Sequence, residues 1–182
     1  MPIVLASASP RRSELLAAAG IAFEVVPSPA EEVHDAAMDP AALCELNARL
    51  KAAAIAAIRP DATVIGADTL VFIDSMPLGK PGDLAAARDM LRRLSGRTHH
   101  VCTGVCVIHP GGREHPFHDL TEVTFRELDE AAIDAYLAVA NPLDKAGAYG
   151  IQEHGDLIIS SISGSYENVM GLPVEKLVAV LR

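Results

Sequence analysis

Apolar and polar residues alternate in blocks along this chain. Short apolar runs read as strands: residues 3–6 in PIVLA, 21–26 in IAFEVV, ATVIGA ending at Asp68-Thr69 with LVFI continuing beyond it, and LIISSI near the C-terminus. Between them, apolar residues recur at helical spacing. Leu15, Leu16 and Ala19 follow Ser9-Pro10, with Gly20 as the stop; Leu43, Leu46, Leu50 and Ala54 follow Asp39-Pro40, with Pro60 as the stop. Met90, Leu91 and Leu94, with Ala86 or Ala87, follow Asp83; another helix follows Asp129 and runs to about Ala140. Each start carries a capping residue, and proline at the first helical position costs nothing because its N–H would be unpaired anyway. The two runs THHVCTGVCVI and FHDLTEVTFREL flank HPGGREHP and predict a long hairpin, DSMP predicts a turn, and GLPVEKLVAVLR a last helix. Strands and helices interleave, but the hairpin breaks the alternation. The pattern predicts an α/β fold, a mixed twisted sheet flanked by helices, as one domain over residues 1–182.

Composition narrows the function. The chain has 182 residues, enough for a real core, and half of them are apolar with no run long enough to span a membrane. No basic flank leads into a long apolar core at the N-terminus, so a cytoplasmic protein is expected. Lys and Arg total 15 against 24 Asp and Glu, a formal charge of −9, which disfavours wrapping a nucleic-acid polymer. A small anion is another matter, because an arginine about 4 Å from a phosphate gains roughly 4 kcal/mol at an effective dielectric near 20. Cys44, Cys102 and Cys106 lack further soft ligands nearby and read as buried thiols.

The chemically loaded residues gather near element ends. Arg11 and Arg12 fall in the first turn of the first helix, where positive charge opposes the helix dipole. That placement makes sense if an anion binds there, with Ser7 and Ser9 adding hydroxyl donors. The segment itself leaves two readings open, a phosphate site or two solvated surface arginines. Glu31, Glu32 and Asp68, the last read as a strand end, supply hard oxygens suited to Mg²⁺ or Mn²⁺ beside phosphate; solvated loop and cap roles are the alternatives. Lys51, Lys80 in LGKPGD and Lys145 in LDKAGAYGIQ could reach phosphates as point charges. There is no GxxxxGK[ST] loop and no GxSxG elbow, and His109, His115 and His118 at the hairpin tip match no standard metal spacing.

Taken in order, SASPRRSELL, the Glu31-Glu32 pair, ARLKA, GADT, LGKP, LSGRTH, TEVTFREL, LDKAGAYGIQ and GSYENVMGLP resemble the Maf family of nucleoside triphosphate pyrophosphatases nearly end to end. The resemblance implies a fold shared with inosine triphosphatases, two lobes around a cleft, and metal-dependent hydrolysis between the α and β phosphates. Asp68 falls on the family's proton acceptor, and Ser7, Arg12, Glu32, Lys51, Lys80 and Lys145 on positions tied to phosphate or metal. A homodimer is what the family suggests.

The resemblance also bears on the base. One branch carries SPW in the first motif and prefers 7-methyl-GTP; this chain has Arg11 there, with Thr69 and Gln152, as in the branch acting on dTTP, UTP and modified uridine triphosphates. A glutamine amide offers donor and acceptor to a uracil-type edge, whereas tryptophan suits a cationic methylated purine. The alternatives are a non-catalytic nucleotide-binding regulator of septum formation, a 7-methyl-GTP pyrophosphatase, or an inosine or xanthosine triphosphate cleaner. One departure stands out: Asn47 occupies a place where the family usually has a small apolar residue, and is expected to affect local packing.

Overall fold

The computed structural model describes residues 1–182. Its elements in chain order are β1 (Ile3–Leu5), α1 (Pro10–Ala18), β2 (Glu24–Val25), α2 (Pro40–Ala56), β3 (Thr63–Ile73), β4 (Met76–Leu78), α3 (Leu84–Leu94), β5 (Thr98–Ile108), β6 (Glu114–Phe125), α4 (Glu130–Val139), β7 (Ile159–Ser163), α5 (Tyr166–Met170) and α6 (Val174–Leu181). The seven strands form one sheet in the order β2-β1-β3-β5-β6-β7, with β4 paired to β3. β1 runs parallel to both β2 and β3, whereas β3–β4 and β6–β7 are antiparallel, so the sheet is mixed as expected. No helix is long and apolar enough to cross a membrane.

The chain divides into two compact units. The first comprises residues 1–69, 102–119 and 171–182; the second comprises 70–101 and 120–170. Each has its own core. In the first, Val4, Ala6, Val64, Cys106 and Ile108 from the strands pack with Ala48, Ala52 and Ile55 of α2. In the second, Val71, Leu91, Leu94, Phe125, Ile133, Tyr136, Tyr149 and Ile158 form the cluster.

Capping explains where three helices begin. Asp39, Asp83 and Asp129 each accept a hydrogen bond from the backbone N–H three residues on, at 3.0, 2.8 and 2.8 Å. Ser9 does not cap α1 through its side chain; its own N–H instead donates to Ser7 Oγ at 3.3 Å. At the other end of α1, Gly20 has φ +72°, and the N–H groups of Gly20 and Ile21 close on the carbonyls of Ala17 and Leu16.

The strand bounds bring corrections. β3 does not stop at Asp68: it runs on through Ile73, so Asp68 and Thr69 lie within a strand rather than at its end. The strand expected over 21–26 forms only at Glu24–Val25. The turn expected over 74–77 is confined to Asp74 and Ser75, both with positive φ, and Met76 and Pro77 already pair with β3. α5 was not expected at all.

Two close approaches fix the height of α2 above the sheet. A Cβ added to Gly66 on β3 would lie 2.1 Å from Ala48 O and 2.7 Å from Ala52 N; one added to Gly104 on β5 would lie 2.5 Å from Cys44 O. Backbone meets backbone at both points, a closeness only glycine permits. Helix α2 carries Asn47 and Lys51, so these two glycines set their distance from Asp68.

Candidate active site

In the first unit, the turn after β1 leads directly into α1, and Arg12 from its first turn is folded inward. The residue is 9% exposed, and its guanidinium makes four hydrogen bonds. Nε donates to Gly171 O at 2.8 Å, Nη1 to Ser7 Oγ and Ala67 O at 3.0 Å each, and Nη2 to Thr69 Oγ1 at 3.0 Å. Burial draws its pKa down from the ordinary arginine value, while the field of Asp68 opposes that shift. Thr69 Oγ1 lies 2.9 Å from Thr103 Oγ1, so the threonine read as a base-branch marker is committed to Arg12 and Thr103. Arg11 is half-buried beside it. α1 has no acidic residue in its first turn, where this pair of cations sits.

Gly171 belongs to this group although sequence reasoning did not single it out. Its φ is +117°, and a Cβ there would lie 3.4 Å from Arg12 Nε and 3.5 Å from Thr69 Oγ1. The signal was present as the second glycine of GSYENVMGLP, which was read for the resemblance and as the start of the last helical segment.

The carboxylates form the second group. Lys51 Nζ donates to Glu32 Oε1 at 2.6 Å and to Asp68 Oδ1 at 2.8 Å. Asp68 is buried at 5% exposure, Glu32 is largely open, and Lys51 lies between them in burial. The other oxygen of Asp68 accepts from Asn47 Nδ2 at 3.1 Å. Asn47 is therefore not a packing substitution but a buried polar partner of the candidate proton acceptor. Glu31 is exposed.

No group of three or more His, Cys, Asp or Glu side chains is arranged to hold a metal anywhere in the chain. The donor set is two carboxylates sharing one ammonium. That suits Mg²⁺ or Mn²⁺, which take one or two carboxylates together with substrate phosphates and water; it does not suit a closed protein cage. His109 and His115 meet ring edge to face at 5.6 Å, and His118 bonds Glu45.

The second unit holds the remaining residues. Lys80 and Gln152 are exposed. Lys145 is 3% exposed, and its Nζ donates to Asn141 O at 2.8 Å, Asp144 Oδ1 at 2.7 Å and Glu153 Oε1 at 2.8 Å. A phosphate reaching this ammonium would have to displace a carboxylate. The loops of Lys80 and Lys145 are joined by Gly147 N donating to Gly79 O at 3.1 Å. Gly150 leaves room for the lysine stem, since a Cβ there would lie 2.8 Å from Lys145 Cε. Below the loop, His99 Nε2 and Tyr149 Oη lie 2.7 Å apart, and Tyr136 Oη accepts from Gly150 N at 3.1 Å. Burial lowers the His99 pKa to about 4 and raises that of Tyr136 to about 12.

Known proteins resemble this chain in both sequence and fold. It is 53% identical over 180 residues to a dTTP/UTP pyrophosphatase of Akkermansia muciniphila, covering 99% of this chain and 95% of that protein. It is 53% identical over 182 residues to one of Moorella thermoacetica, covering 98% and 94%, and 48% identical over 180 residues to one of Bacillus anthracis, covering 99% and 94%. Among solved structures, a nucleoside-triphosphatase / dITP/XTP pyrophosphatase from Mycobacterium abscessus superposes with a TM-score of 0.51 at 21% identity, covering 100% of this chain and 94% of that one. The Staphylococcus aureus Ham1 protein gives 0.50 at 18% identity, with 69% and 72% covered. At such low identity the structural likeness speaks for the fold alone. The model of the Maf-like protein family matches residues 2–182, and with relatives near half identity along the full length the chain belongs to the Maf family.

Proposed function

We propose that residues 1–182 act as one Maf-like catalytic domain, a nucleoside triphosphate pyrophosphatase that hydrolyses dTTP and UTP, and modified uridine triphosphates, to the monophosphate and pyrophosphate. The observation that carries the reading is the Lys51 ammonium bonded to both Glu32 and Asp68. A cation shared by two carboxylates is a group that an incoming phosphate and divalent ion can divide between them. Names borne by relatives near half identity support the same activity.

In this reading Asp68 accepts a proton from a water that attacks the α phosphorus. The α–β anhydride bond breaks, and pyrophosphate leaves with the bonding pair. Arg11 and Lys51 bind phosphate oxygens from the first unit. Arg12, anchored on four protein acceptors, offers its remaining Nη2 hydrogen and fixes Ser7 and Thr69. Lys80 and Lys145 are assigned phosphate contacts, and Gln152 the base edge. Glu32 and Asp68 would hold Mg²⁺ or Mn²⁺, which would supply charge neutralisation on the phosphates. The setting is cytoplasmic, where nucleoside triphosphates are drawn from the pool, and a homodimer fits the family.

The test is direct. Purified protein with Mn²⁺ is offered dTTP, UTP, 7-methyl-GTP and ITP in turn, and pyrophosphate and phosphate are assayed separately. Pyrophosphate from dTTP and UTP is expected. Preference for 7-methyl-GTP or ITP would reassign the base, and no release from any nucleotide would leave a non-catalytic binder.

A further inference from the structure

Asn47 is 2% exposed on the face of α2 that meets the sheet. A buried amide is costly unless its hydrogen-bonding groups are satisfied. Here they are, and the partners are informative. Oδ1 accepts from Val33 N at 2.8 Å, while Nδ2 donates to Val33 O at 3.1 Å and to Asp68 Oδ2 at 3.1 Å. The side chain thus grips both main-chain groups of the residue that follows Glu32, and at the same time one oxygen of Asp68.

Lys51 lies one helical turn further on, on the same face of α2. It holds the other oxygen of Asp68 and the side chain of Glu32. Two adjacent turns therefore hold the same two partners, but by different chemistry. Lys51 acts through charge, and a phosphate can draw its flexible ammonium away. Asn47 acts through directional bonds to backbone and carboxylate, which a phosphate does not compete for.

We infer that Asn47 is a positioning residue that keeps the Glu32 loop and the Asp68 carboxylate in register when Lys51 turns to the substrate. The inference rests on the pyrophosphatase reading for its consequence in catalysis, and on geometry alone for the tether. Neighbouring groups that orient an active-site carboxylate typically change activity by about 10–100-fold when removed, and misplacement by an ångström suffices.

The experiment compares wild type with Asn47→Leu, close in size but without the three bonds, and with Leu43→Ala, a buried truncation on the same helix. For UTP with Mn²⁺, Asn47→Leu should lower kcat by about 10-fold or more with KM little changed, while Leu43→Ala loses thermal stability and keeps kcat. A smaller fall in Asn47→Leu, or an equal fall in Leu43→Ala, overturns the proposal. If wild type releases pyrophosphate from no nucleotide, the functional reading fails on its own. Asn47 is then judged by amide hydrogen exchange over residues 31–34. Faster exchange in Asn47→Leu than in the other two supports the tether, and unchanged exchange overturns it.

Discussion

At the scale of single residues, polar groups inside the first unit are matched to specific acceptors, and that matching makes substitutions predictable. Asp68→Asn keeps one acceptor oxygen for Lys51 but turns an NH₂ toward the donor Asn47 Nδ2, and it cannot take a proton, so turnover should fall by about 10²–10⁴-fold while the chain still folds. Near-normal rates in that variant would remove Asp68 from the mechanism. Arg12→Lys keeps the charge but cannot reach Gly171 O, Ala67 O, Ser7 and Thr69 at once. It should cost about 2–4 kcal/mol by urea denaturation, because buried acceptors are left unpaired. The identities of Asp68, Lys51 and Arg12 were legible in the sequence because each stands in a recognisable segment. Their partners were not. Asn47 looked like a packing change and Gly171 like a motif glycine, since hydrogen bonds to Val33, to Asp68 and from Arg12 join positions far apart in the chain.

At the scale of elements, the caps were the most legible signals, because Asp39-Pro40, Asp83 and Asp129 act locally on the next three residues. Strand ends were less so. Asp68-Thr69 reads as an end because polar residues usually leave a sheet, yet β3 continues because α2 and Arg12 satisfy both side chains. β2 is short because its one partner, β1, is itself only three residues long. α5 could have been found from Ser165, whose Oγ accepts from Asn168 N at 3.1 Å, a capping signal hidden in a run read for its resemblance alone. The glycines beneath α2 give a prediction at this scale. Gly66→Ala forces the helix backbone away from β3 and should cost about 3 kcal/mol. It should also reduce kcat, because Asn47 and Lys51 move with the helix. Gly82→Ala, where a Cβ meets nothing within 4 Å, is the control and should change neither.

At the scale of the whole molecule, the sequence foretold a mixed α/β sheet but gave no hint that one core would hold an ionisable side chain. His99, on β5, is fully buried in the second unit. Its ring meets Phe125 and Tyr149 edge-on, Nε2 is paired with Tyr149 Oη, and Nδ1 is buried without a partner. A second proton would place an unpaired charge there, which is why burial, with a smaller contribution from His100, lowers the pKa from 6.5 to about 4. The sign follows from proton counting. Between pH 6.5 and about 4 the unfolded chain binds a proton at this position that the folded chain refuses, so stability falls as pH falls through that window. The full contribution is about 3 kcal/mol, present at pH 7 and lost by pH 4. His99→Gln can still hydrogen-bond the tyrosine but carries no titrating group. The wild-type melting temperature should therefore drop more steeply than the variant's between pH 6.5 and 4. Parallel curves would mean that His99 takes up its proton in the folded protein as readily as in the unfolded chain, and that the core around Tyr149 admits water.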